Sequence, residues 1–331
     1  LQAREAQGLA TKLVDVDSIY AAYSGGNVST DAIRRYIKFA RRNMGTRYVL
    51  LLGGDTYDYR KQLGGRARSF IPTLYGAVGN AISHAPVDAL YGDVNADGLP
   101  DVAIGRFPVQ TEAEVAAMVD KTLLYEQMEY GRNAVFAADE VDDQSQANFA
   151  RFSNQMINRM SKRWTAKRAY LGHMSNSAVR RRVISSINNG VALTSFMGHS
   201  DLDSWSFSQM MRRSDVIGLS NTGKPTVVLQ YGCWNTYYVD PDRSSMAFDW
   251  LLTPNRGAAA LMGATTLTQA SSEKLMGVRL TKYLTANGLT LGDALIRAKR
   301  DILRTHPLHS VKDVIHGYTL LGDPALRLPQ R

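Results

Sequence analysis

Residues 191–200, VALTSFMGHS, and residues 226–233, TVVLQYGC, carry the two most strand-like segments of the chain. Each is an apolar run that ends in a glycine followed by a reactive side chain, His199 in the first and Cys233 in the second. Continuous apolar runs of this length, bounded by turn residues, suit strands buried on both faces of a sheet. Outward from them, short apolar runs alternate with longer amphipathic ones. The pattern predicts further strands at 48–53 (YVLLLG), 102–105, 135–138 and 258–262. Helices are expected at about 31–43, 111–129, 146–163, 177–188, 273–286 and 291–304. Thr30 or Asp31 would cap the first, with Ile33, Ile37 and Ala40 on one face, and Thr111 with Glu114 has capping-box spacing for the second. Strands alternating with helices imply an α/β fold, a mostly parallel sheet covered on both faces.

With 331 residues, and roughly 150 per domain, the chain divides into about two subdomains. The boundary is placed near Gly131, giving an N-terminal α/β subdomain at 1–130 and a second subdomain at 131–331. A hydrophobic content of 44% is enough for a real core and excludes a disordered tail. No run approaches the length of a membrane-spanning helix. The chain begins at Leu1 and shows no signal-peptide pattern, so a piece of a longer precursor is expected.

The formal net charge is +9, and residues 144–200 hold no acid. Such a basic stretch suits nucleic acid, an acidic partner or a solvated helical face; without an aromatic stacking motif, the solvated face is the reading taken, and no nucleic acid is expected. The single cysteine, Cys233, excludes an intrachain disulfide.

In open parallel sheets, sites collect at the carboxyl ends of strands. His199 and Cys233 both stand there. Imidazole and thiol on neighbouring strand ends are the pair that cysteine nucleophilic catalysis needs, although a packed thiol and an ordinary strand-end histidine fit the same pattern.

Five segments resemble the gingipain-type cysteine peptidase family of the caspase and legumain clan: residues 48–55 (YVLLLGGD), 91–108 (YGDVNADGLPDVAIGRFP), 191–200, 227–233 (VVLQYGC) and 320–328 (LLGDPALRL). They occur in consistent order over nearly the whole chain. The resemblance implies a caspase-like three-layer α/β/α fold and a secreted or cell-surface bacterial cysteine endopeptidase acting on protein or peptide substrates. It requires no cofactor and maps the nucleophile onto Cys233, the general acid/base onto His199, and the oxyanion donors onto the backbone N–H groups of Cys233 and Ser200. Ser200 departs from the family, which usually has glycine there. A position needing positive φ would strain serine and weaken the oxyanion hole, leaving a catalytically impaired scaffold or binding module as the alternative.

Residues 93–101 have the spacing of a calcium loop, with Asp93, Asn95, Asp97 and Asp101 as oxygen ligands and Gly98 at the turn; an Asx-rich turn without metal fits equally. Ile104 at the twelfth position excludes an EF-hand. The resemblance assigns Asp97 a second role, pairing with a basic substrate side chain, although the aromatic expected to accompany it is replaced near Ala270. It also assigns Asp88 the orienting of His199, where a turn or cap aspartate is the other reading. Trp205 is matched to a pocket wall or to ordinary core. Residues 139–143 (DEVDD), at another strand end, suit calcium or a solvated loop.

Overall fold

The structure, a computed structural model, describes residues 1–79, 81–286 and 288–329. Eight strands form the main sheet: β1 (Tyr48–Leu52), β2 (Ala103–Phe107), β3 (Asn133–Ala138), β4 (Thr165–Tyr170), β5 (Leu193–Met197), β6 (Thr226–Tyr231), β7 (Ala258–Ala264) and β8 (Tyr318–Leu321). Their spatial order is β1-β2-β8-β7-β6-β5-β3-β4. All neighbours are parallel except β7 and β8, which run antiparallel. β2, from the first predicted subdomain, joins β8, from the second, through the register pair Leu321↔Arg106, so one sheet runs through both.

Strand alternation divides the core into two layers. Along β3, Ala134, Phe136 and Ala138 face one side. There they join residues of α3 (Phe149–Ile157), α6 (Ala270–Thr285), α7 (Leu291–Leu303) and α8 (Leu308–Ile315). Val135 and Ala137 face the other side, covered by α2 (Glu112–Gln127), α4 (Asn176–Asn188) and α5 (Met246–Leu252). Helix α1 (Thr30–Met44) lays Ile33 and Ile37 against Leu51 of β1 and Ile104 of β2. The result is the expected three-layer α/β/α arrangement.

Several boundaries differ from the sequence reading. The cap of α1 is Ser29, one residue earlier than expected, accepting from the Ala32 N–H. Thr111 caps α2 through the Glu114 N–H at 3.3 Å, but the Glu114 carboxylate turns to the Gln110 N–H at 2.6 Å and to Arg243, so the reciprocal half of the capping box is missing. Helix α3 starts at the Asn148 cap and stops after Ile157, well short of residue 163, because the chain turns back into β4. That strand, TAKRAY, was not expected: it is the sheet edge, and its Lys167 and Arg168 are exposed.

Candidate active site

The parallel strands β3, β5, β6 and β7 deliver their carboxyl ends to one edge of the sheet, and residues 139, 199, 233 and 268 stand just beyond them. Gly198, at φ +157°, turns the chain out of β5. A Cβ there would lie 2.3 Å from the Asp139 Cβ, so only glycine admits the close approach. Asp139 uses that approach: its Oδ2 accepts the His199 N–H at 3.2 Å and its Oδ1 the Glu140 N–H at 2.9 Å. Burial pushes the Asp139 carboxyl up to about 6 against these hydrogen bonds.

The His199 ring stacks on Phe207, with centroids 4.5 Å apart, and meets Phe149 edge-on at 5.3 Å. Phe207 is 84% exposed, so an aromatic side chain covers the imidazole from the solvent side. His199 Nε2 lies 3.6 Å from Asp142 Oδ1, an ion-pair distance beyond a good hydrogen bond. Hydrogen bonds from the Ser145 hydroxyl and N–H hold the Asp142 carboxylate down at about 2.

The two reactive loops are joined by Ser200, whose hydroxyl donates to the Cys233 carbonyl at 2.9 Å. Gly232 makes the join possible, since a Cβ there would sit 2.2 Å from Ser200 Oγ and 2.5 Å from the Gly198 carbonyl oxygen. Ser200 itself does not take positive φ, so the backbone strain that serine raised in the sequence reading is absent. Among the described residues, neither the Ser200 N–H nor the Cys233 N–H donates to a protein acceptor.

Cys233 is half-buried and its sulfur faces Thr268. The Thr268 N–H donates to Sγ at 3.4 Å, and the Thr268 hydroxyl lies 3.6 Å from it. That hydroxyl also hydrogen-bonds the buried carboxyl of Glu273. Burial pushes the Cys233 thiol up, with Glu273 adding to the effect. Beyond the cysteine, Trp234 takes φ +60°, a left-handed conformation uncommon for a bulky side chain.

The remaining predicted positions go elsewhere. Asp88 makes a buried ion pair with Arg106 of β2 at 2.6 Å and has no contact with His199. It helps hold a guanidinium that also donates to the carbonyls of Gly53, Ile71 and Pro72, so its role here is to fix the chain between β1 and β2. Trp205 is not a pocket wall. It is fully buried, stacked on Phe196 at 4.7 Å, with its indole N–H donating to Gln230 Oε1.

The oxygens of the 93–101 loop bond the loop's own N–H groups and a neighbouring arginine. Asp93 accepts the N–H groups of Ala96, Asp97 and Gly98; Asp97 accepts from Asn95 and Leu99; Asp101 pairs with Arg300 at 3.1 Å. Among the described residues no three His, Cys, Asp or Glu side chains gather to hold a metal ion, residues 139–143 included. Asp97 is exposed and touches neither the His199 nor the Cys233 loop.

The sequence reading missed Thr268, Glu273 and Phe207. Thr268 and Glu273 carry no local signal, because the fold alone brings the start of α6 beside Cys233. Phe207, eight residues after His199, is an apolar residue in a polar loop, and that was its available trace.

The family model of peptidase family C25 matches residues 1–329. No curated protein sequence matches the chain. Among solved structures, the Arg-specific cysteine proteinase gingipain R matches with a TM-score of 0.74 at 18% identity, covering 91% of this chain and 69% of that one. The complex of Porphyromonas gingivalis RgpB pro- and mature domains matches at the same TM-score and identity, covering 97% and 74%. A further protease structure matches at 0.68 and 13% identity, covering 91% and 70%. The chain belongs to peptidase family C25: it has the gingipain fold and is a cysteine endopeptidase.

Proposed function

We propose that this member of family C25 cleaves peptide bonds with Cys233 as nucleophile and His199 as proton carrier. Sγ attacks the scissile carbonyl carbon, and the thiol proton passes to the imidazole. The oxyanion that forms accepts hydrogen bonds from the Ser200 and Cys233 N–H groups, donors of a kind each worth about 2.7–4 kcal/mol in the transition state. His199 then gives its proton to the leaving amine, and a water deprotonated by the imidazole hydrolyses the thioester. Asp142, 3.6 Å from Nε2, is the acid best placed to stabilise the imidazolium.

The observation that carries this reading is the Ser200–Cys233 hydrogen bond at 2.9 Å, which holds the two loops together beside two unengaged N–H donors. The alternative, an impaired scaffold, loses its main support because Ser200 sits without positive φ. A preference for basic residues, with Asp97 as the pairing acid, belongs to the proposal. Its support is the resemblance of the loop and the Arg specificity named for gingipain R. So does secretion or surface display by a bacterium, as part of a longer precursor, for which the family is the support. No helix among the described residues is long and apolar enough to cross a membrane.

The test is a fluorogenic peptide library varied at the residue before the scissile bond, run on wild type and Cys233→Ala with reductant present. Cleavage lost in a folded Cys233→Ala protein supports the assignment, and Arg or Lys at the preferred position supports Asp97. Cleavage retained at the wild-type rate removes it.

A further inference from the structure

We infer that Glu273 is a positioning residue for the nucleophile, acting through the Thr268 hydroxyl to decide whether the Cys233 sulfur receives a second hydrogen bond. This rests on the reading of Cys233 as nucleophile. The Thr268 hydroxyl lies between two groups, 3.6 Å from Cys233 Sγ and hydrogen-bonded to Glu273 Oε1. A hydroxyl has one proton to give. An ionised Glu273 is an acceptor only and takes that proton, leaving the sulfur with the Thr268 N–H as its donor, the Thr268 carbonyl oxygen 3.8 Å away and a negative charge behind it. A protonated Glu273 instead donates to Thr268 Oγ1, and the hydroxyl proton is free to turn to the sulfur. The single proton exchanged with solvent is the carboxyl proton of Glu273.

The surroundings of Glu273 favour the protonated form at neutral pH. The residue is only 4% exposed, and among the described residues no cation lies within ion-pair distance of it. The acid facing it is Asp313 of α8, which accepts the Gln269 N–H at 2.8 Å. From β8 comes Tyr318, stacked on Tyr231 of β6 at 5.6 Å. From α7 comes Lys299, but its Nζ donates to the Tyr318 carbonyl at 2.8 Å and burial lowers it to about 7. The cations of the α3–α6 contact, Arg151 and Lys274, lie over the Phe152 ring. Burial, with Asp313 adding, pushes the Glu273 carboxyl up to about 8.

The sign follows. Below pH 8 the neutral carboxyl lets Thr268 support the thiolate, which an active nucleophile requires. Above pH 8 the ionised carboxylate withdraws that donor and repels the thiolate. Glu273 therefore sets a several-fold alkaline fall in kcat/KM. In Glu273→Gln the side-chain amide donates to Thr268 permanently.

The experiment measures kcat/KM from pH 6 to 10 with a cleaved peptide, on wild type, Glu273→Gln, Thr268→Ser, Thr268→Val and Cys233→Ala. The expected result is a wild-type limb near pH 8 that is kept in Thr268→Ser and moved upward by at least one unit in Glu273→Gln. In Thr268→Val the activity falls several-fold at neutral pH and the limb near 8 shrinks to the part that charge repulsion alone sets. If Glu273→Gln does not fold, the Thr268 pair carries the same comparison. Superimposed wild-type and Glu273→Gln profiles, or a limb near 8 of undiminished size in Thr268→Val, overturn the inference while an inactive Cys233→Ala leaves the nucleophile in place. Activity in Cys233→Ala overturns both.

Discussion

The Ser200 hydroxyl donates to the Cys233 carbonyl at 2.9 Å, binding the loop after β5 to the loop after β6. Serine at this position is therefore a tether, and the backbone around it is unstrained. Removing the hydroxyl in Ser200→Ala deletes one hydrogen bond, a loss of about 1 kcal/mol. We expect a small drop in Tm and a kcat/KM lowered about fivefold, read by thermal unfolding and peptide hydrolysis. Ser200→Gly should behave no better than Ser200→Ala, and a gain of activity in it would mean that serine impairs the site.

Gly232→Ala tests the same junction by overfilling it. The added methyl would stand 2.2 Å from Ser200 Oγ and 2.5 Å from the Gly198 carbonyl oxygen, and the latter belongs to backbone that cannot step aside. Overpacking of this kind costs about 1–3 kcal/mol. The variant should lose most activity, because the displacement falls on the residue beside the nucleophile. A fully active Gly232→Ala protein would show that the two loops are not held as described.

Asp142 and Asp88 separate by experiment. Asp142→Asn removes the charge 3.6 Å from His199 Nε2 and should lower kcat by about tenfold, with a small fall in Tm because the amide keeps only one oxygen for the Ser145 and Gln144 donors. Asp88→Asn breaks the 2.6 Å ion pair with the fully buried Arg106 and should cost about 3–5 kcal/mol, seen in the denaturant midpoint. The reverse assignment of effects would return Asp88 to the catalytic machinery.

Asp139 gives stability a pH dependence. Its carboxyl titrates at about 6 in the folded chain and at the ordinary 3.8 when unfolded. Between these values the native state binds more protons, so stability falls as pH rises from about 4 to about 6 and stays low above. The full difference is on the order of 3 kcal/mol. Asp139→Asn, which gives up one of the two acceptor oxygens, should therefore gain in Tm relative to wild type as pH rises from below 4 to 7.5. A Tm difference that is equal at both pH values would contradict the buried, raised carboxyl.

Much of this was legible in the sequence, and the reason is burial. Strands hidden on both faces, such as β6 at Thr226–Tyr231, leave a mostly apolar run that marks their ends, and so place His199 and Cys233 at the sheet edge. The edge strand β4 was not legible, because one side faces water and TAKRAY reads as polar. The acids were harder still. Asp88, Asp142 and Glu273 are distinguished only by what the fold sets against them: Arg106, His199 and Thr268, at sequence separations no local pattern reports. Residues 93–101 stay open to two readings for a related reason, since oxygen spacing that suits calcium equally suits a loop bonding its own N–H groups.

The central claim is that Cys233 carries the acyl group during turnover. The most direct measurement is a rapid acid quench of wild-type protein turning over a peptide ester, followed by intact mass and peptide mapping. The account predicts a transient adduct of the acyl mass on the peptide containing Cys233, absent from Cys233→Ala. An acyl group found on another residue, or turnover persisting at the wild-type rate in Cys233→Ala, would contradict it.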